Sequence, residues 1–109
     1  LKEVKEVKLE ELNMTRDEIL AAARQCISVD RAATYGDAKT VYGLAAKMFE
    51  PVFGIPGIDA GDALVMMALM KIARAKSNPK HADSWVDAIG YLALAGEIAT
   101  ELSTQVDKV

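Results

Sequence analysis

Two aspartates four residues apart, Asp83 and Asp87, stand in the stretch Lys80 to Tyr91, KHADSWVDAIGY, beside the only histidine, His81, and the only tryptophan, Trp85. Carboxylates at that spacing lie one above the other on a helix face, where they can share a divalent cation or a water. Upstream, Lys71 and Arg74 stand at i,i+3 near the end of an apolar run. They can face phosphate or the aspartates, but a helix C-terminus also favours such cations by roughly 0.3 to 1 kcal/mol each without any ligand. A third polar group, Arg31, Tyr35 and Asp37, falls in VDRAATYGDA. It fits either a capped turn with a stacking tyrosine or the wall of a pocket for an anionic or planar ligand, which Tyr91 can also contact.

These residues must be positioned by helices. Thr15 with Glu18 three residues later has the form of a capping box, and Met14 and Ile19 stand at the positions of a hydrophobic staple. Ile19, Ala23, Cys26 and Ile27 then form one stripe at about 100° per residue, which Asp30 extends. Gly36 supplies a turn and Asp37 a cap for a second helix, about 38–49, with Val41, Leu44, Ala45 and Met48 on its apolar face. Glu50-Pro51 restricts the backbone, and the glycines and prolines of VFGIPGIDAGD read as a loop ending in a cap at Asp59 or Asp62. A third helix, about 60–75, is apolar almost all round and belongs at the centre of a bundle or an oligomer interface. Asn78-Pro79 marks the next turn.

The final helix, about 82–106, has an apolar stripe of Trp85, Ile89, Leu92, Gly96 and Ala99, expected to face the core. Asp83, Asp87, Gly90, Leu94, Glu97 and Glu101 lie on another side. A solvated row of acids needs neither Gly90 nor Leu94, and an interior glycine costs roughly 1 kcal/mol relative to alanine. The first half of that row is therefore expected to be covered by a neighbouring helix, and Gly96 suggests close approach on the stripe side. His81, beside a turn, fits a surface or capping role better than a ligand.

Composition excludes several classes. A net charge of -3 and no basic stripe leave no nucleic-acid footprint. One cysteine, Cys26, rules out an internal disulfide framework and fits a reducing, cytoplasmic setting; beside Ile27 it reads as a small core residue. The segment LKEVKEVKLEEL lacks the apolar centre of a signal peptide, and the longest apolar run, 63–70, is too short to span a bilayer. The glycine-rich loop lacks the Gly-Lys-Ser/Thr ending of a phosphate cradle. With 109 residues, 51% of them hydrophobic, one copy has difficulty burying its apolar surface. The expectation is an all-α bundle of about four helices completed by homo-oligomerisation: residues 1–14 an arm or weak helix, residues 15–109 one domain.

Taken in order, Arg31-xxx-Tyr35-Gly36-Asp37, Lys71-xx-Arg74 and Asp83-xxx-Asp87-xx-Gly90-Tyr91 resemble a family of small phage and prophage proteins, from about residue 30 to 95. More distantly, the arrangement is similar to the all-α nucleotide pyrophosphohydrolases of the MazG and dimeric dUTPase type. That resemblance implies Mg²⁺ held by Asp83 and Asp87, with Asp62 or Asp30, as the catalytic centre. It implies phosphates held by Lys71 and Arg74, a base or sugar against Tyr35 or Tyr91, and a water that attacks a nucleoside triphosphate. In those enzymes the acidic pairs are Glu-xx-Glu and Glu-xx-Asp, whereas Asp83 and Asp87 are i,i+4. The alternative is a non-catalytic oligomeric module, for nucleotide binding or interaction, in which Asp, Lys and Arg lock adjacent helices together.

Overall fold

The structure, a computed structural model, describes residues 13–28 and 36–107, with side chains through Glu101. Among these residues it is all-α, as expected: α1 (Arg16–Cys26), α2 (Ala38–Phe53), α3 (Ala60–Ser77) and α4 (Ala82–Asp107). Most of the expected N-terminal arm, residues 1–12, lies outside the described residues.

Local chemistry sets the helix starts. Thr15 caps α1: its hydroxyl accepts from the Glu18 N–H at 3.2 Å, and Glu18 Oε1 accepts from the Thr15 N–H at 3.0 Å. These bonds hold the Glu18 carboxyl below its ordinary range. Asp37 caps α2 through the Thr40 N–H at 3.2 Å. At α3, Asp59 and Asp62 form a reciprocal capping box, with bonds of 2.9 and 3.1 Å. Each satisfies donors that a helix start leaves orphaned.

One boundary differs from expectation. α2 continues through Pro51 to Phe53 and ends at Gly54, whose left-handed φ of 68° lets its N–H reach the Glu50 carbonyl at 2.8 Å. Proline removes a single ladder donor in the last turn, and Phe49 packs edge-on against Phe53 at 5.9 Å, an i,i+4 contact that favours continuation.

α3 and α4 form an antiparallel hairpin. Ala60 and Leu64 near the start of α3 cluster with Ala95 and Ile98 late in α4, while Lys71 reaches back to Asp87. Tyr42 of α2 packs against that cluster, and α1 lies on α4. Leu64 is fully buried, which contributes roughly 1.5 to 3 kcal/mol. Otherwise the core consists mainly of small side chains, including Ala23, Ala46, Ala63, Ala68, Ala75, Ser84, Ala88 and Ala95.

The expected stripes on α2 and α4 face inward only in part, at the half-buried Ala45 and Ile89. Trp85 and Leu92 are 43% and 46% exposed, and Gly96 and Ala99 are exposed as well. The sides of α4 that are buried carry Ser84, Ala88, Ala95 and Ile98 on one side, and Val86 and Gly90 on another. On α2, Val41, Leu44 and Met48 are exposed, while Ala46 is buried and Tyr42 and Phe49 are half-buried. Small residues won these positions because they let helix axes approach closely, whereas hydrophobic periodicity is dominated by the large side chains. Among the described residues, no helix is long and apolar enough to cross a membrane.

Candidate functional site

The hairpin joins two of the three polar groups identified in the sequence. Lys71 leaves the middle of α3 on the side toward α4, and its Nζ lies 3.0 Å from Asp87 Oδ2, with the side chains 21% and 24% exposed. The expected cover over this part of α4 is present at Asp87, Gly90 and Leu94 but not at Asp83. A Cβ at Gly90 would meet Ile27 Cγ2 of α1 at 3.3 Å and the Ala23 carbonyl at 3.9 Å, and Leu94 is half-buried against the core. Gly96, by contrast, has nothing within 4 Å of such a Cβ among the described residues, so none of the other described helices approaches there.

Asp83 lies one turn before Asp87 and is exposed. Arg74, one turn beyond Lys71, is also exposed. It lines a cleft of about 420 Å³ with Ala73, Ser77, Asn78, His81 and the buried Ser84. A tight turn builds this end: the Asn78 N–H donates to the Arg74 carbonyl at 2.9 Å, and the His81 N–H to the Asn78 carbonyl at 3.0 Å. The Trp85 indole N–H donates to the Pro79 carbonyl at 2.9 Å, so the exposed tryptophan is tied to the same turn.

Tyr91 is half-buried one turn beyond Asp87, with its ring edge-on to Tyr42 at 6.0 Å and 82°. Burial, with the Tyr91 phenol beside it, pushes the Tyr42 hydroxyl up to about 12. Tyr42 and Ser84 were not candidates from the sequence. The one available signal for Ser84 was its phase with Ala88, Tyr91 and Ala95; for Tyr42 it was a phenol among apolar neighbours on α2.

Asp62 is not brought to this place. It stands nine residues before Lys71, about 14 Å along α3, and its carboxylate is engaged in the capping box. Asp37 is occupied as the α2 cap. Asp30, Arg31 and Tyr35 lie outside the described residues. Among the described residues no group of three or more His, Cys, Asp or Glu stands together in an arrangement suited to a metal. Of the candidate metal ligands, Asp83 and Asp87 stand one turn apart on α4, with Asp87 engaged by Lys71.

Comparison with known proteins gives the chain a family and a phage relative. It is 38% identical over 73 residues to the Gene 55 protein of Mycobacterium phage L5, a match covering 67% of this chain and 47% of the phage protein. The chain thus spans about half the length of that relative. No solved structure matches it. Residues 18–99, from the α1 capping box into the second half of α4, match the model of DUF6378, and the chain belongs to this family, a domain of unknown function.

Proposed function

We propose that the chain is a nucleotide-binding helical module that associates with copies of itself, and that its Lys71–Asp87 pair is structural. The ion pair carries this reading: a carboxylate matched to an ammonium at 3.0 Å and about three-quarters buried locks α3 to α4. Arg74 is left for the ligand. Its guanidinium has the planar fork that suits phosphate, and its cleft opens beside the first turn of α4, where the helix dipole favours an anion. A nucleotide is the class that fits a phosphate site with an aromatic side chain, Tyr91, on the same hairpin and Tyr42 of α2 edge-on to it.

A second reading is Mg²⁺-dependent pyrophosphohydrolysis of a nucleoside triphosphate. It is favoured by Asp83 and Asp87, exposed and half-buried, one turn apart on α4. In that reading the two carboxylates bind the metal, Lys71 exchanges its partner for phosphate, and Arg74 holds the outer phosphates. The metal would activate water and neutralise charge on the phosphoryl oxygens.

One experiment separates the two. The protein is incubated with a panel of nucleoside triphosphates and Mg²⁺, with pyrophosphate release and melting temperature followed together. The binding module shows a nucleotide-dependent rise in melting temperature that Arg74→Ala abolishes, with no pyrophosphate released. Release that is lost in Asp83→Asn/Asp87→Asn establishes the enzyme instead. Neither response would sink both readings.

A further inference from the structure

We infer that Ser84 is the ligand-binding hydroxyl on the floor of the cleft beside Arg74, and that this cleft grips a chain of phosphates through the phosphates alone, with no need of a nucleoside. The inference rests on the reading that Arg74 meets a ligand's phosphate. It adds the residue that meets the same ligand from the other helix, and the part of the ligand that suffices.

Ser84 is chemically out of place in the seam it occupies. The Lys71–Asp87 bond sets the register of the antiparallel hairpin, and in that register Ser84 stands across from Arg74 and Ala75. The other small buried residues of the seam, Ala68 and Ala75 on α3 and Ala88 and Ala95 on α4, are alanines. A hydroxyl placed among them is stripped of water, a cost that a hydrogen bond must recover. Ser84 is 2% exposed, and its N–H is spent on the His81 carbonyl at 3.2 Å. Its hydroxyl makes no hydrogen bond among the described residues. What the side chain faces is the cleft of about 420 Å³, of which it is the most deeply buried lining residue. An unpaired, almost wholly buried hydroxyl at the bottom of a cleft is held for a molecule that enters.

The rest of the lining selects that molecule. Arg74 and Ser77 of α3, with Asn78 and His81 of the turn, surround the opening, and no carboxylate lines it among the described residues. They supply a guanidinium fork, a hydroxyl, an amide and an imidazole. In a chain of net charge -3 this is a local reversal. The nearest acids do not compete: Asp87 is held by Lys71 at 3.0 Å, and Asp83 is exposed outside the cleft. Groups converging from α3, the turn and α4 suit a tetrahedral anion with oxygens in several directions, whereas a planar carboxylate would be satisfied by Arg74 alone. The first turn of α4 adds the positive end of its dipole. The cleft is larger than one phosphate group fills, so a chain of them is the fit. No Tyr, Trp or Phe ring lines it among the described residues. Tyr91 stands seven residues along α4 from Ser84, about 10 Å away, so a nucleoside attached to the chain would lie outside the cleft.

Calorimetric titration of the full chain with inorganic tripolyphosphate, in the presence of a metal chelator, tests the assignment. Wild type should bind it, and sulfate at equal ionic strength should not displace it. Ser84→Ala removes only the hydroxyl, and alanine suits both the helix and the seam. Without ligand the variant should therefore melt at or above wild type, while it binds tripolyphosphate about tenfold more weakly. Should alanine disturb the fold, Ser84→Cys keeps a similar volume with a poor donor, and the same weakening is expected. A variant that melts lower and binds as well as wild type would make Ser84 a structural residue and overturn its role. Displacement by sulfate overturns the choice of a phosphate chain. The nucleotide reading is decided separately: a nucleoside triphosphate that binds through Arg74 where tripolyphosphate does not leaves that reading standing and sinks this one, and tripolyphosphate bound through Ser84 with no nucleoside triphosphate bound does the reverse. Binding of neither removes both.

Discussion

At Asp87 one carboxylate has two uses that compete: closing on Lys71, or turning to a cation in solution. The 3.0 Å pair is neither fully solvated nor fully buried, so its coupling falls between the fractions of a kcal/mol of surface pairs and the several kcal/mol of buried ones. In a double-mutant cycle of Lys71→Met and Asp87→Leu, followed by denaturant unfolding, we expect each single change to cost about 1 to 2 kcal/mol and the double to cost less than their sum. Strict additivity would show that the pair locks nothing. Tyr42 makes a second prediction at this scale. Its hydroxyl titrates at about 12 in the fold against about 10 in the unfolded chain. Its contribution is thus complete below pH about 10 and is lost as pH rises through about 12. Melting temperature should fall more steeply over that window in wild type than in Tyr42→Phe, and identical slopes would remove Tyr42 as the cause.

Among the elements, helix existence and helix starts were legible because their signals are local. Thr15-xx-Glu18 and Asp59-xx-Asp62 close reciprocal bonds within four residues, so no distant contact can alter their logic. The cover over Gly90 was legible for a related reason: an interior glycine that costs stability in isolation implies a neighbour, and α1 is that neighbour. Ala at 90 would trade a gain in helix propensity against the 3.3 Å approach to Ile27, so it discriminates poorly. Gly90→Leu does better, since the α1–α4 seam has no room for the side chain; it should destabilise by about 1 to 3 kcal/mol in chemical denaturation. A neutral result would mean that α1 does not pack there. The inward sides of α2 and α4 were not legible. Alanine, serine and glycine add little to a hydrophobic period, yet they are what permits α3 to settle on α4.

For the whole molecule, the misplaced stripes and the high hydrophobic fraction are one observation. On α2 and α4 most of the large apolar side chains that periodicity selected face outward within a single copy of the described fold, whereas the α1 stripe, with Ala23 buried and Ile19 and Ile27 half-buried, lies against α4. If the exposed apolar side chains are shared between copies, melting temperature should rise with protein concentration, because oligomer stability follows mass action; a melting temperature independent of concentration would remove self-association.

The sequence by itself determined an all-α chain, its caps, its turn at Asn78-Pro79 and the crowding at Gly90, all properties written within a few residues of one another. Tertiary structure alone decided that Asp87 meets Lys71, that Asp62 stays at its own helix start, and that Arg74 stands exposed at the cleft. Those outcomes depend on the relative register of α3 and α4. That register is set by how closely small side chains let two helices approach, a distance that one-dimensional periodicity does not encode.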